Sequence, residues 1–283
     1  MQLATLDIAG TPVPACLDET RYLPLPEALA LDDLVGSAPL QAQLREHVAA
    51  AGPEAWRPLD GVSFLPPLLR PDKIVCIGLN YREHAKEGGH DEPQHPSVFL
   101  RTRQSVVGHG QPLIRPRVSE RFDYEVELAV VIGKRARHVS EAEATDVIFG
   151  YSIFNDGSLR DYQRRTKQWT MGKNFHRSGS MGPAIVTADA LPPAAEGLRV
   201  TCTLNGTVMQ DASTDEMIFP VRRLIADLTE VMELLPGDII ATGTPSGVGF
   251  ARTPPVWMKP GDVCDCTIER IGTLRNTIED EAG

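Results

Sequence analysis

Phe122-Asp123-Tyr124-Glu125-Val126-Glu127-Leu128-Ala129-Val130-Val131-Ile132 is the most informative stretch of this chain. In a strand successive side chains point to opposite faces, so Glu125 and Glu127 share one face while Tyr124, Val126, Leu128 and Val130 share the other. A half-buried strand whose acids face water accounts for this pattern. So does a metal site: the acids run straight into an uninterrupted apolar stretch, where like charges on one face repel and are costly unless a cation joins them.

Around this stretch, short β-branched runs recur at 73–77, 151–154, 184–187, 199–204, 238–241 and 263–269. Helical patterns occur at 40–51, at 140–146, where Ser140 and Glu143 make a capping-box signature, and at 221–234, ended by Pro236-Gly237. There is no alternating βαβ rhythm and no internal repeat, so the expected fold class is mixed α/β and β-rich. The 283 residues allow one large domain plus a small one. A Pro-rich exit near Pro71 places the expected boundary, with a small N-terminal domain over 1–70 and a catalytic domain over 71–283.

Lys and Arg total 28 against 38 Asp and Glu, a net charge of −10, and no stretch is a basic tract, which argues against nucleic acid as partner. Apolar runs are far shorter than the roughly 18 residues of a membrane span, and the N-terminus lacks a basic and an apolar signal region, so a cytoplasmic location without membrane contact is expected. The 5 cysteines are scattered and odd in number, which does not fit a disulfide framework. Cys264 and Cys266 share a strand face, but no second pair is visible to close a zinc site.

A third carboxylate, Asp156, ends the run Tyr151-Ser152-Ile153-Phe154-Asn155; alone it reads equally as a turn residue or helix cap. Three carboxylates without histidine or thiol suit Mg²⁺, Mn²⁺ or Ca²⁺. In Gly78-Leu79-Asn80-Tyr81-Arg82-Glu83-His84-Ala85-Lys86-Glu87-Gly88-Gly89, Asn80 and Glu83 suggest the start of a short helix that places His84 and Glu87 on one face. A carboxylate beside an imidazole raises its basicity, as a general base requires; a solvated surface pair is the alternative. The polar segment Gly88 to Pro96 follows the short helix, so this helix reads as part of a lid. Ala241-Thr242-Gly243-Thr244-Pro245-Ser246-Gly247-Val248-Gly249 reads as a nest of backbone N–H groups for an anion, or as a plain tight turn. Arg160, Gln163 and Lys173, close in sequence to Asp156, offer cations and an amide to an anionic substrate.

Together these segments resemble the fumarylacetoacetate hydrolase family over about residues 71–277. The lid motif is matched by Gly78, Asn80, Tyr81, His84 and Glu87, the E-x-E pair by Glu125 and Glu127, and the later aspartate by Asp156. Arg160, Asp161 and Gln163 match R-D-x-Q, Lys173 matches the family lysine, Thr242 to Gly249 match the T-G-T-P-x-G-V-G loop, and Gly261 to Asn276 the closing pattern. The resemblance implies the family's mixed β-roll catalytic domain, a small N-terminal domain and a homodimer.

It further implies metal ligation by Glu125, Glu127 and Asp156, with Mg²⁺ (or Mn²⁺; Ca²⁺ as an occupant), and a small dicarbonyl acid as substrate. His84, Glu87 and Lys173 would be catalytic, and Arg160, Gln163, Gly243 and Thr244 would bind substrate. The expected reaction is hydrolysis of a C–C bond in an acylpyruvate-like acid through a metal-bound enolate. Alternatives are isomerisation of 2-hydroxymuconate-type acids, decarboxylation of oxaloacetate-type acids and, in another class, a non-catalytic Ca²⁺-stabilised binding protein. Arg101, where many relatives have lysine, together with Leu159 and His176, departs from the family pattern and suggests altered substrate contacts. His109 reads as structural.

Overall fold

The computed structural model describes residues 1–283. A large sheet runs, in spatial order, through Arg57–Pro58, Arg21–Pro24, Thr11–Leu17, Gln2–Ile8, Gly179–Thr187, Ile148–Asn155, Val126–Ile132, Ile239–Ala241, Ile74–Gly78 and Ser97–Arg101. A second, five-stranded sheet holds Thr207–Ser213, Arg199–Leu204, Val263–Ile268, Gly272–Asp280 and Leu113–Arg115. Pairing is mostly antiparallel, with a parallel contact of Ile239–Ala241 on Ile74–Gly78. The expected mixed α/β, β-rich class is observed, and no helix is long and apolar enough to cross a membrane.

Val126–Ile132 lies at the centre and is buried along its whole length because both faces are covered. Val126, Leu128, Val130 and Ile132 join one core with Val200, Cys202, Leu224 and Leu228, from the second sheet and the helix Val221–Val231. Ala129 and Val131, on the face of the two glutamates, join another core with Leu3, Leu34 and Leu44. Residues of the first 70 thus roof the acid-bearing face, and Gln2–Ile8 continues the sheet by pairing with Gly179–Thr187. Full burial of a Val, Leu or Ile side chain contributes roughly 1.5–3 kcal/mol, so both faces hold this strand in register.

Two local expectations change. The segment 140–146 is a turn rather than a helix: the Glu143 carboxylate accepts from the amide and hydroxyl of Ser140 at 3.1 and 2.6 Å, and only a short 3-10 turn, Ala144–Val147, follows. Asn80 does not cap the helix Arg82–Glu87, whose first flanking residue is Tyr81. Its buried amide spans to other loops, donating to the carbonyls of Thr242 at 2.7 Å and Phe219 at 3.1 Å, and accepting from the Phe219 amide at 2.7 Å. A buried amide in a gap between segments is satisfied by whichever backbone crosses it.

Candidate active site

The start of the central strand, the end of Ile148–Asn155 and the helical turns after it converge on a cavity of about 440 Å³. Glu125, Glu127, Asp156, Lys173, Arg160, Gln163, Thr244 and His84 line it, with Phe99, Trp169 and Phe250 as apolar wall. Glu125, Glu127 and Asp156 are almost wholly buried, and their carboxylate oxygens lie within 4.8 Å of one another. The amide of Asp156 donates to the carbonyl of Glu125 at 2.9 Å, so the backbone itself sets the two ligands side by side.

The cations divide unevenly among these acids. Lys173 Nζ is paired with Glu125 and lies 2.5 Å from Asp156 Oδ2. Arg160 pairs with Glu125 at 2.6 Å and Asp123 at 2.8 Å, while Arg101 pairs with Asp156 at 2.6 Å. Glu127 receives only the Gly243 amide, at 2.9 Å. Burial pushes the Glu127 carboxyl well above its ordinary range, and Asp156 and Glu125 beside it push the same way. Burial also disfavours the charge on Glu125, but Arg160 and Lys173 more than reverse this and hold its carboxyl low. Burial alone would lower Lys173, yet Asp156 and Glu125 raise it, so it stays protonated.

Four buried carboxylates, Asp123, Glu125, Glu127 and Asp156, therefore face three buried cations, Arg101, Arg160 and Lys173. One carboxylate without a cation, in an all-oxygen set, fits a divalent hard ion. The sequence expectation of a carboxylate centre thus meets a pocket able to hold a metal.

His84 is buried, and its Nδ1 lies 2.8 Å from Glu87 Oε1. Glu87 also accepts from the Gly247 amide at 2.9 Å, which ties the helix Arg82–Glu87 to the glycine loop. That loop behaves differently from a substrate nest. Its amides at Gly243 and Gly247 are taken by Glu127 and Glu87, and those of Gly249 and Phe250 by Asp123 at 2.7 and 3.0 Å. Gly243 thus orients a metal-ligand candidate; its φ of +98° and the close approach of Asn80, 2.7 Å from where a Cβ would sit, explain the glycine. Thr244 does line the cavity, its hydroxyl held by Gln210 at 2.8 Å. Gln163 Oε1 accepts from Arg160 at 2.9 Å.

Of the residues that depart from the family pattern, Arg101 and Leu159 are buried away from the cavity lining, and His176 is exposed. Arg101 holds Asp156 and reaches Ser178 and the Gly157 carbonyl at 2.8 and 3.0 Å. Nδ1 of His109 accepts from the Arg275 amide at 3.1 Å, and its ring packs against Phe64. Asp123, Gln210, Trp169 and Phe250 carry roles that were not drawn from the sequence. Cys202 joins Cys264 and Cys266 in a buried group whose sulfurs lie within 4.8 Å of one another, all as free thiols.

A β-roll with a buried carboxylate centre and a histidine–glutamate pair in one cavity defines the class. The family model described as fumarylacetoacetate (FAA) hydrolase C-terminal matches residues 73–279, and the chain belongs to this family. The mitochondrial oxaloacetate tautomerase Fahd2a of Rattus norvegicus is 40% identical over 222 residues, 78% of this chain and 71% of that protein. The structure of a fumarylacetoacetate hydrolase from Exiguobacterium antarcticum superimposes with a TM-score of 0.86 at 31% identity, covering 99% of this chain and 100% of that one. A maleylpyruvate hydrolase from Sphingobium, in complex with manganese(II) ion and pyruvate, gives 0.82 at 28% identity, with 100% of both chains covered.

Proposed function

We propose that this protein is a divalent-metal-dependent enzyme that moves a proton on a short 2-oxo dicarboxylic acid, with keto–enol tautomerisation of an oxaloacetate-type acid as its reaction. The observation that carries this is the His84–Glu87 pair, at 2.8 Å, in the wall of the cavity that holds the three carboxylates. Sequence alone put C–C hydrolysis first; the 40% identity to an oxaloacetate tautomerase over 71% of its length favours the alternative without cleavage.

Glu125, Glu127 and Asp156 would hold the ion, which when bound supplies Lewis-acid polarisation of the substrate's carboxylate and 2-oxo oxygens. Glu87 accepts the Nδ1 proton of His84 and leaves Nε2 free to take a proton from carbon 3 of the substrate. The C–H electron pair then enters the C2–C3 bond, and the 2-oxo oxygen takes the negative charge. Lys173, kept protonated by Asp156 and Glu125, places positive charge in the cavity wall to stabilise it. Return of a proton to that oxygen completes the enol, and the reverse sequence regenerates the ketone. Trp169 and Phe99 help keep bulk water from the cavity, which protects an enol.

Hydrolysis of an acylpyruvate is the second reading, favoured by the likeness to a maleylpyruvate hydrolase solved with pyruvate. The same histidine would then take its proton from water attacking the distal carbonyl. The test is to mix purified protein with oxaloacetate and with an acylpyruvate panel, in Mg²⁺ or Mn²⁺ and then in EDTA, following enol absorbance and released pyruvate. Metal-dependent enol–keto exchange without fragments supports the tautomerase. Release of pyruvate plus a carboxylic acid moves the assignment to the hydrolase, and activity that survives EDTA overturns the metal mechanism.

A further inference from the structure

Arg164 stands exposed at the mouth of the cavity, just after the turn Arg160–Gln163, with its guanidinium carbon 4.4 Å from the centre of the Phe250 ring. Arg160 lies 4.6 Å from the same ring, but its charge is committed to Asp123 and Glu125. Arg164 forms no ion pair; its charged neighbours are Arg160 and Arg121 and, as the one acid, Asp123, which is already paired with Arg160. A second cavity, of about 280 Å³, opens behind it and is lined by Arg121, Arg160, Arg164, Phe250, Pro255 and Trp257. Arg121 is likewise without an ion pair. Two guanidinium groups without an ion pair, one of them stacked on Phe250, beside the cavity proposed to take a 2-oxo acid, form a receptor for a further anionic group.

We propose that Arg164, with Arg121 behind it, receives the second carboxylate of a 2-oxo dicarboxylic acid and so selects dianionic over monoanionic substrates. This rests on the function proposed above. The carboxylate cluster and its ion engage the 2-oxo acid end; Arg164 reads the other end. Arg160 cannot do so, because leaving Asp123 and Glu125 would strand two buried charges.

Matched pairs of equal chain length test it: oxaloacetate against 2-oxobutanoate, and 2-oxoglutarate against 2-oxopentanoate, each with the Mg²⁺-loaded full chain. Calorimetric affinity is measured for every acid, and tautomerisation rates for those that turn over. In Arg164→Gln the preference for the dicarboxylate of each pair should fall about tenfold, since a charge-assisted bond is lost, with the monocarboxylate unchanged. Arg164→Lys should restore part of the preference and Arg121→Gln lose a smaller part. Arg165→Gln removes the same charge from a side chain stacked on Tyr162, outside both cavities, and should change nothing. Equal weakening of both members of a pair, an unchanged preference, or a like effect from Arg165→Gln overturns the subsite. If neither oxaloacetate nor an acylpyruvate turns over, the function proposed above falls, and the binding preference alone still decides the role of Arg164.

Discussion

Glu87 holds His84 from one side and the glycine loop from the other: Nδ1 of His84 lies 2.8 Å from its Oε1, and the Gly247 amide donates to its Oε2 at 2.9 Å. The pair is therefore oriented by the fold and is not a solvated surface contact. Glu87→Gln should keep the loop contact but weaken the base, and His84→Ala should remove it; losses of about 10²–10⁴ in kcat are expected for the latter. Metal binding, followed by calorimetry, should be unchanged in both. A double variant with full turnover would sink the catalytic assignment, whereas a Ca²⁺-stabilised binding protein would tolerate it.

Glu127 is the buried acid that no cation joins. Replacing it by glutamine keeps an acceptor for the Gly243 amide and offers N–H donors toward the neighbouring carboxylates. Without metal, and above the ordinary glutamate pH range, Glu127→Gln should raise the thermal midpoint, by on the order of 1–3 kcal/mol of stability, because the fold no longer holds protonated a carboxyl that the unfolded chain ionises freely. The increase in midpoint that Mg²⁺ gives the wild type should vanish. A lower midpoint in the metal-free variant, or a surviving Mg²⁺ shift, would contradict this account.

How much of this was legible in advance differs from residue to residue. The ligand face could be read because strand periodicity is local: Glu125 and Glu127 alternate with buried Val126 and Leu128. The same period of two places Asp123 on their face. Its role needed the loop amides of Gly249 and Phe250, more than a hundred residues away. The strand Gly272–Asp280 was hidden because a buried Asn276 interrupts Leu274 and Ile278; its amide is satisfied by the carbonyls of Gly108 and Gln111, which only the fold brings near. In Thr11–Leu17, two prolines obscure the strand pattern. Arg101 looked like a change in substrate contact, because sequence cannot say which way a side chain points once its strand, Ser97–Arg101, is placed at the sheet edge.

Arg101 and Asp156 form a fully buried pair, 2.6 Å apart. Arg101→Ala leaves Asp156 charged and deprived of one partner, which should cost about 3–5 kcal/mol in denaturant unfolding. Arg101→Lys keeps the charge but not the fork that also reaches Ser105, Ser178 and the Gly157 carbonyl, so a smaller loss is expected, together with weaker Mg²⁺ binding. Wild-type stability and affinity in Arg101→Lys would mean that the fork does not orient Asp156.

The raised Glu127 carboxyl sets the direction of a pH effect. Burial, with Asp156 and Glu125 nearby, lets the folded, metal-free protein hold this proton at pH values where the unfolded chain has released it. As pH rises above the ordinary glutamate range the unfolded chain releases this proton while the fold retains it, so stability falls, and a bound cation removes that penalty. Metal binding should therefore expel a proton, and affinity for Mg²⁺ should climb as pH rises above the ordinary glutamate range. Titration calorimetry in two buffers of different ionisation enthalpy counts the protons released. In Glu127→Gln that count should fall together with the affinity. Release of no proton by the wild type across this range would show that Glu127 is already ionised before the ion arrives, and that the three cations compensate the whole cluster.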